Sequence, residues 1–190
     1  MIKKLIPDFY YKSIYEIPYN KLYEDGIRLI LTDLDNTLIS YKETMPNEKL
    51  LEWKRSLIDM GFEIVIVSNS RKDRVTNFAD ALGVKCVKFS TKPLKRGIKK
   101  AIKKRTSRKY NRNEIILFGD QLMTDVFGGK RCKLKVALIE AVDKKTDTFP
   151  TRFNRKLENF FLKKIKRKYP DRYSEVLKRY VEGTDDSKEM

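Results

Sequence analysis

A three-layer, Rossmann-like α/β fold is what this chain of 190 residues predicts, with a mainly parallel sheet covered by helices on both faces. Three observations predict it. Short apolar runs recur along the chain. Segments with helical spacing separate them. Glycine and proline punctuate the joins.

The first run, LILTD at 29–33, reads as a buried strand. Pro46 can open a helix that carries Leu50, Leu51, Trp53, Leu57, Ile58 and Met60, and Gly61 ends it. Strands are predicted over 63–68, 84–89, 114–119 and 135–139. Helices are predicted over 71–82, with Gly83 as the stop, and over 94–104, with Leu94, Ile98, Ala101 and Ile102 on one face. A short helical turn fits 124–130. Strand and helix thus alternate from 27 to 140.

The length suits one domain with a real core, expected over 1–168, with its core at 27–140. Residues 151–168 carry Phe153, Leu157, Phe160, Phe161 and Ile165 at helical spacing, together with eight Lys or Arg and one acid, Glu158. This is a basic amphipathic helix, suited either to an anionic membrane surface or to packing on the sheet. Residues 169–190 read as a basic extension followed by an acidic, disordered tail from Gly183.

The formal net charge is +17, and residues 88–112 hold twelve Lys or Arg and no acid. Attraction to polyanions, either an anionic membrane or nucleic acid, follows. The basic stretches contain no known RNA-binding motif, so nucleic acid is the less favoured partner. Histidine is absent, which excludes His-based triads, His-ligated zinc and His general bases. Cys86 and Cys132 form neither a disulfide framework nor a zinc spacing. No apolar run is long enough to span a bilayer, and no signal peptide is evident. A reducing cytoplasmic location is expected.

In a sheet of this kind, ligands bind outside the carboxyl ends of the strands. Asp33 and Asp35 follow the first run, Ser68 and Asn69 the second, Thr91 and Lys92 the third, and Asp120 with Asp125 the fourth. Each has an ordinary explanation. Asp and Asn shape turns, Ser68 and Asn69 can cap a helix, and Lys92 lies in a lysine-rich stretch. Their convergence at one sheet edge is harder to explain by turns alone. Acids there can hold a hard divalent cation, and the hydroxyl, the lysine and backbone N–H groups can hold phosphate oxygens.

These residues resemble the four motifs of the haloacid dehalogenase superfamily of phosphohydrolases. DLDNT at 33–37 matches the first, Ser68 the second, Lys92 with Pro93 the third, and GDQLMTD at 119–125 the fourth. Across residues 1–168 the chain is similar to the narrower YqeG family, within subfamily IIIA. That family is the bacterial branch of a group that includes mitochondrial phosphatidylglycerophosphate phosphatases. Ser70 departs from the Asn common in that branch.

The resemblance implies a Mg²⁺-dependent phosphomonoester hydrolase working through an aspartyl-phosphate. Asp33 is the implied nucleophile and Asp35 the acid–base. Ser68, Asn69 and Lys92 would bind phosphate. Asp33, Asp120 and the backbone carbonyl of Asp35 would hold Mg²⁺, with Asp125 bound directly or through water. The superfamily's cap domain has no room here, since both insertion points are short. An open site suits a bulky substrate, and phosphatidylglycerophosphate at the inner membrane face is the expected one. A soluble nucleotide or polynucleotide-end phosphatase is the alternative, and a non-enzymatic RNA- or ribosome-associated module on the same fold is a third.

Overall fold

The computed structural model describes residues 2–143 and 149–185, with side chains undescribed over 149–156 and 183–185. Its strands are β1 (Phe9–Tyr11), β2 (Leu29–Thr32), β3 (Glu63–Val67), β4 (Lys85–Val87), β5 (Ile115–Gly119) and β6 (Lys135–Ile139). Among the described residues they form one six-stranded sheet in the order β1-β6-β5-β2-β3-β4. Every pairing is parallel. The predicted fold class is therefore observed. β1 has no counterpart in the sequence prediction. It is three residues long and only half-buried, so no apolar run marks it. Tertiary contacts recruit it. The Asp8 N–H donates to the Val136 carbonyl at 2.9 Å, and the Val136 N–H donates to the Asp8 carboxylate at 2.7 Å.

Alternation along the strands splits the core into two layers. Ile30, Ile64, Ile66, Ile116 and Phe118 face one way, and Leu29, Leu31, Val65, Leu117 and Val136 the other. The first layer is covered by α1 (Tyr19–Glu24), α2 (Glu48–Asp59) and α3 (Arg74–Leu82), which contribute Leu22, Trp53, Leu57 and Phe78. The second is covered by α4 (Lys95–Lys104), α5 (Phe127–Arg131) and α6 (Phe149–Lys168). Asn47, not Pro46, starts α2: its side chain accepts from the Leu50 N–H at 2.9 Å. Gly83, at φ +70°, stops α3 in the left-handed conformation that glycine adopts without strain.

For α6 the structure takes the packing role of the two expected, and the expected tail changes. The apolar side of α6 is not free for a membrane. Phe161, Leu162 and Ile165 are buried in the core, and Leu157 packs against it. Phe153 lies outside the described side chains. Leu5 and Ile6 are likewise core residues, with Ile2 and Tyr10 packed on them. Beyond α6 the chain stays helical through α7 (Pro170–Arg172), a π-helical turn at Tyr173–Leu177, and α8 (Lys178–Asp185). Tyr173, Leu177 and Tyr180 are buried in the same core. The predicted disordered tail from Gly183 thus begins inside a helix, and 186–190 lie outside the described residues. Hydropathy could not show this, because the aromatic and aliphatic residues of this segment are diluted by many charges and make a weak periodic signal.

Glu158, the sole acid of the basic stretch, explains much of the docking. It is buried, accepting from the Leu122 N–H at 2.7 Å and the Tyr180 hydroxyl at 3.1 Å. It joins α6 to α8 and to the loop after β5. No described helix is long and apolar enough to cross a membrane.

Candidate active site

β2 ends at Thr32, and Asp33 is the next residue. The Asp33 N–H donates to the Phe118 carbonyl at 2.9 Å, which anchors this backbone to β5. Asn36 then turns the chain at φ +61°, a conformation Asn tolerates. A regular strand would aim Asp33 and Asp35 the same way, but the strand has already ended. The two side chains take different partners. The Asp33 Oδ1 accepts from the Leu34 N–H at 2.8 Å and lies 3.1 Å from the Lys92 ammonium. Asp35 forms an ion pair with Arg74.

Lys92 stands after β4 and is almost fully buried. Its ammonium is also 2.7 Å from Asp125. Burial alone would drive the lysine toward neutrality, but Asp125 and Asp33 outweigh it and hold it charged. The loop is pinned by Asn69. Its side-chain oxygen accepts from the Lys92 N–H at 2.7 Å and the Ser90 hydroxyl at 2.7 Å, and its amide donates to the Lys92 carbonyl at 3.0 Å. Asn69 was expected to bind phosphate. In the structure its carboxamide oxygen and amide nitrogen hold this loop, because a lysine delivered by irregular backbone needs those backbone groups satisfied. Ser68 is buried at the end of β3. Its Oγ accepts from the Ser70 N–H at 3.1 Å, leaving its proton to donate elsewhere.

Asp120 and Asp125 follow β5 and are fully buried. The π-helical turn at Leu122–Val126 brings Asp125 back over the strand end. Gly119 makes that possible: a Cβ there would lie 2.3 Å from the Asp125 Cβ. Asp125 is oriented by the Thr124 hydroxyl at 3.1 Å and the Gln121 N–H at 3.3 Å. Thr37 reaches Asp120 at 3.5 Å.

Asp33, Asp120 and Asp125 each offer a carboxylate oxygen within 4.8 Å of the others. Lys92 offsets one of these three negative charges. A divalent cation would offset the other two, and oxygen donors alone suit a hard one. Without it, burial, ahead of the opposing pull of Lys92 and reinforced by Asp125, pushes the Asp33 carboxyl up to about 6. The Asp35 side chain stands outside this acidic group.

Arg74, the first residue of α3, is the feature sequence reasoning missed. It pairs with Asp35 and donates to the Glu43 carbonyl at 2.6 Å. Nothing distinguishes it along the chain from its exposed neighbours Arg71 and Lys72.

The family model for mitochondrial PGP phosphatase matches residues 2–143. The chain belongs to that family. A Bacillus subtilis (strain 168) protein described as "Probable phosphatase YqeG" is 36% identical over 169 residues, covering 88% of this chain and 96% of its own length. The family and this relative make the chain a phosphatase. Solved structures resemble it more distantly. A deoxy-D-mannose-octulosonate 8-phosphate phosphatase from Haemophilus influenzae, in a cobalt-bound form, is 11% identical, with TM-score 0.46 over 75% of this chain and 90% of its own. The 3-deoxy-D-manno-octulosonate 8-phosphate phosphatase from Moraxella catarrhalis, solved with magnesium and phosphate ions and KDO, is 18% identical, with TM-score 0.41 over 54% of this chain. This chain spans 64% of that one.

Proposed function

We propose that this phosphatase is Mg²⁺-dependent, works through an aspartyl-phosphate on Asp33, and dephosphorylates phosphatidylglycerophosphate at a membrane surface. The observation that carries the chemistry is the buried set of three carboxylates around one lysine, short of charge balance by two. Bound among Asp33, Asp120 and Asp125, the cation would supply Lewis-acid stabilisation of the phosphoryl oxygens.

The chain's own residues perform the rest. The Asp33 carboxylate attacks phosphorus, forming the acyl phosphate as the ester oxygen departs. Lys92 and the Ser68 hydroxyl neutralise and orient the phosphoryl oxygens, lowering the repulsion between two anions. Asp35, released from Arg74 by the entering ester and protonated from solvent, gives that proton to the leaving alkoxide. It then takes one from the water that hydrolyses the acyl phosphate. Asn69 positions Lys92 through its backbone.

Support for the lipid substrate comes from the family and from the open site. Between Thr37 and Pro46 there is a short loop, and between Ser68 and Lys92 only α3 and β4. No cap is inserted at either place among the described residues. A headgroup held in a bilayer can reach such a site without being enclosed. Purified protein with Mg²⁺ should release phosphate from phosphatidylglycerophosphate in vesicles faster than from nucleotides or polynucleotide ends. Good turnover of the soluble esters with none from the lipid would refute the substrate.

A further inference from the structure

We propose that the rim of loops around the active site, rather than the basic helix α6, is the surface that docks this protein on an anionic bilayer. The proposal rests on the lipid-ester reading above. Among the described residues, seven large apolar side chains are exposed, and five of them (Tyr15, Met45, Phe89, Leu94 and Val142) lie on segments that follow strands. In an all-parallel sheet those segments share one edge, and it is the edge that carries Asp33, Ser68, Lys92 and Asp120.

Backbone hydrogen bonds tie three of the five to residues flanking the site, and a fourth lies near it in the chain. The Val142 N–H donates to the Asn36 carbonyl at 3.1 Å, next to Asp35. The Phe89 N–H donates to the Ser70 carbonyl at 2.8 Å, and the Leu94 N–H to the Thr91 carbonyl at 2.8 Å, on either side of Lys92. Met45 is two residues from Glu43, whose carbonyl accepts from Arg74. A cleft of about 440 Å³ between the loops after β1, β2 and β6 is lined by Tyr15, Thr37, Glu43 and Val142. Thr37 also reaches Asp120, so the cleft adjoins the acidic group.

These apolar tips are not stray core residues. Phe89 sits at φ +50° and is half exposed, with the Arg71 guanidinium 3.8 Å from its ring centroid. Exposed cations are interleaved with the tips: Lys42 near Met45 in the chain, Arg71 against Phe89, and Lys95 with Arg96 next to Leu94 in the chain. Apolar tips flanked by cations match a bilayer whose interior is apolar and whose surface is anionic. A nucleic acid would use the cations and leave Leu94 and Met45 in water. Helix α6 offers the reverse. Among its described side chains the apolar side is buried, so it presents charge with Phe160 as the one exposed large apolar residue.

The test compares the full chain with a Phe89→Ser/Leu94→Ser pair and with Phe160→Ser. Binding is measured by co-sedimentation with phosphatidylcholine vesicles, with and without phosphatidylglycerol. Turnover of p-nitrophenyl phosphate checks that each protein is folded and should not change. The serine pair should bind the anionic vesicles about tenfold or more weakly than wild type, and Phe160→Ser should bind like wild type. Equal binding by the serine pair, or an equal loss with Phe160→Ser, overturns the docking face. So does binding that a single-stranded oligonucleotide abolishes while the serine pair leaves it intact. If the wild type turns over phosphatidylglycerophosphate in vesicles and the serine pair matches it, the docking face falls and the substrate stands. If the pair loses vesicle binding while the wild type releases no phosphate from that lipid, the docking face stands and the substrate falls.

Discussion

Replacing Asp33 with Asn removes one negative charge and almost nothing else. Its Oδ1 holds both contacts, the Leu34 N–H and the Lys92 ammonium, and an amide oxygen can keep both. Only Oδ2 becomes a nitrogen. The Asp33 carboxyl stands at about 6 against an ordinary 3.8, chiefly because burial penalises its charged form. A raised folded-state value means the ionised group costs stability. That cost is absent below about 3.8, grows as pH rises, and is complete above about 6. The shift corresponds to roughly 3 kcal/mol. In metal-free buffer at pH 7.5, Asp33→Asn should therefore be more stable than wild type by on the order of 1–3 kcal/mol. For a chain of this size that raises Tm by about 2–12 °C. Saturating Mg²⁺ should shrink or reverse the difference, because it stabilises the protein that binds it better. Phosphate release should fall by at least about 10⁴-fold. Thermal melts with EDTA or Mg²⁺, run beside a phosphate-release assay, decide both halves. Turnover within tenfold of wild type would sink the nucleophile assignment. A Tm drop in EDTA would sink the electrostatic account of the buried carboxylates.

The remaining predictions use the same site. Lys92→Met should be destabilised by about 3–5 kcal/mol in metal-free denaturant titrations at pH 7.5, since two buried carboxylates lose their partner; less than about 1 kcal/mol would show that they are not charged together. Asn69→Ala should lower kcat far more than it raises KM, with a stability cost of about 1–3 kcal/mol, because it frees the Lys92 backbone rather than a phosphate ligand. A KM effect alone would return Asn69 to direct phosphate binding. Mg²⁺ binding should release a proton below about pH 6 and weaken as pH falls through that value, as the Asp33 carboxyl protonates. Calorimetry in buffers of different ionisation heat measures this, and proton-independent binding at pH 5 would contradict it.

Much of the fold was legible in the linear chain. The runs that became β2, β3, β5 and β6 are buried on both faces, and such strands must be continuously apolar. The site was legible for a related reason. In a parallel sheet the carboxyl ends share one edge, so Asp33, Ser68, Lys92 and Asp120 had to converge once the strands were located. β1 was not legible, since three half-buried residues at a sheet edge give no periodic signal. Nor was the helical segment after Tyr169, whose apolar residues are diluted by charge.

What the sequence determined by itself was therefore the layer architecture, the edge on which the candidate site sits, and the kinds of atom available there: carboxylates, a lysine and a hydroxyl, and no imidazole. Only the tertiary structure decided how those atoms pair. It separated Asp33 from Asp35 by ending the strand at Thr32. It placed Lys92 between two acids and gave Asn69 to the lysine's backbone. It chose Arg74 from a row of similar cations, and it buried the apolar side of α6 while leaving Phe89 and Leu94 in solvent. The physical reason is that periodicity encodes which side of an element is apolar. The partner of a charged side chain depends instead on distances of a few ångströms between segments far apart in the chain.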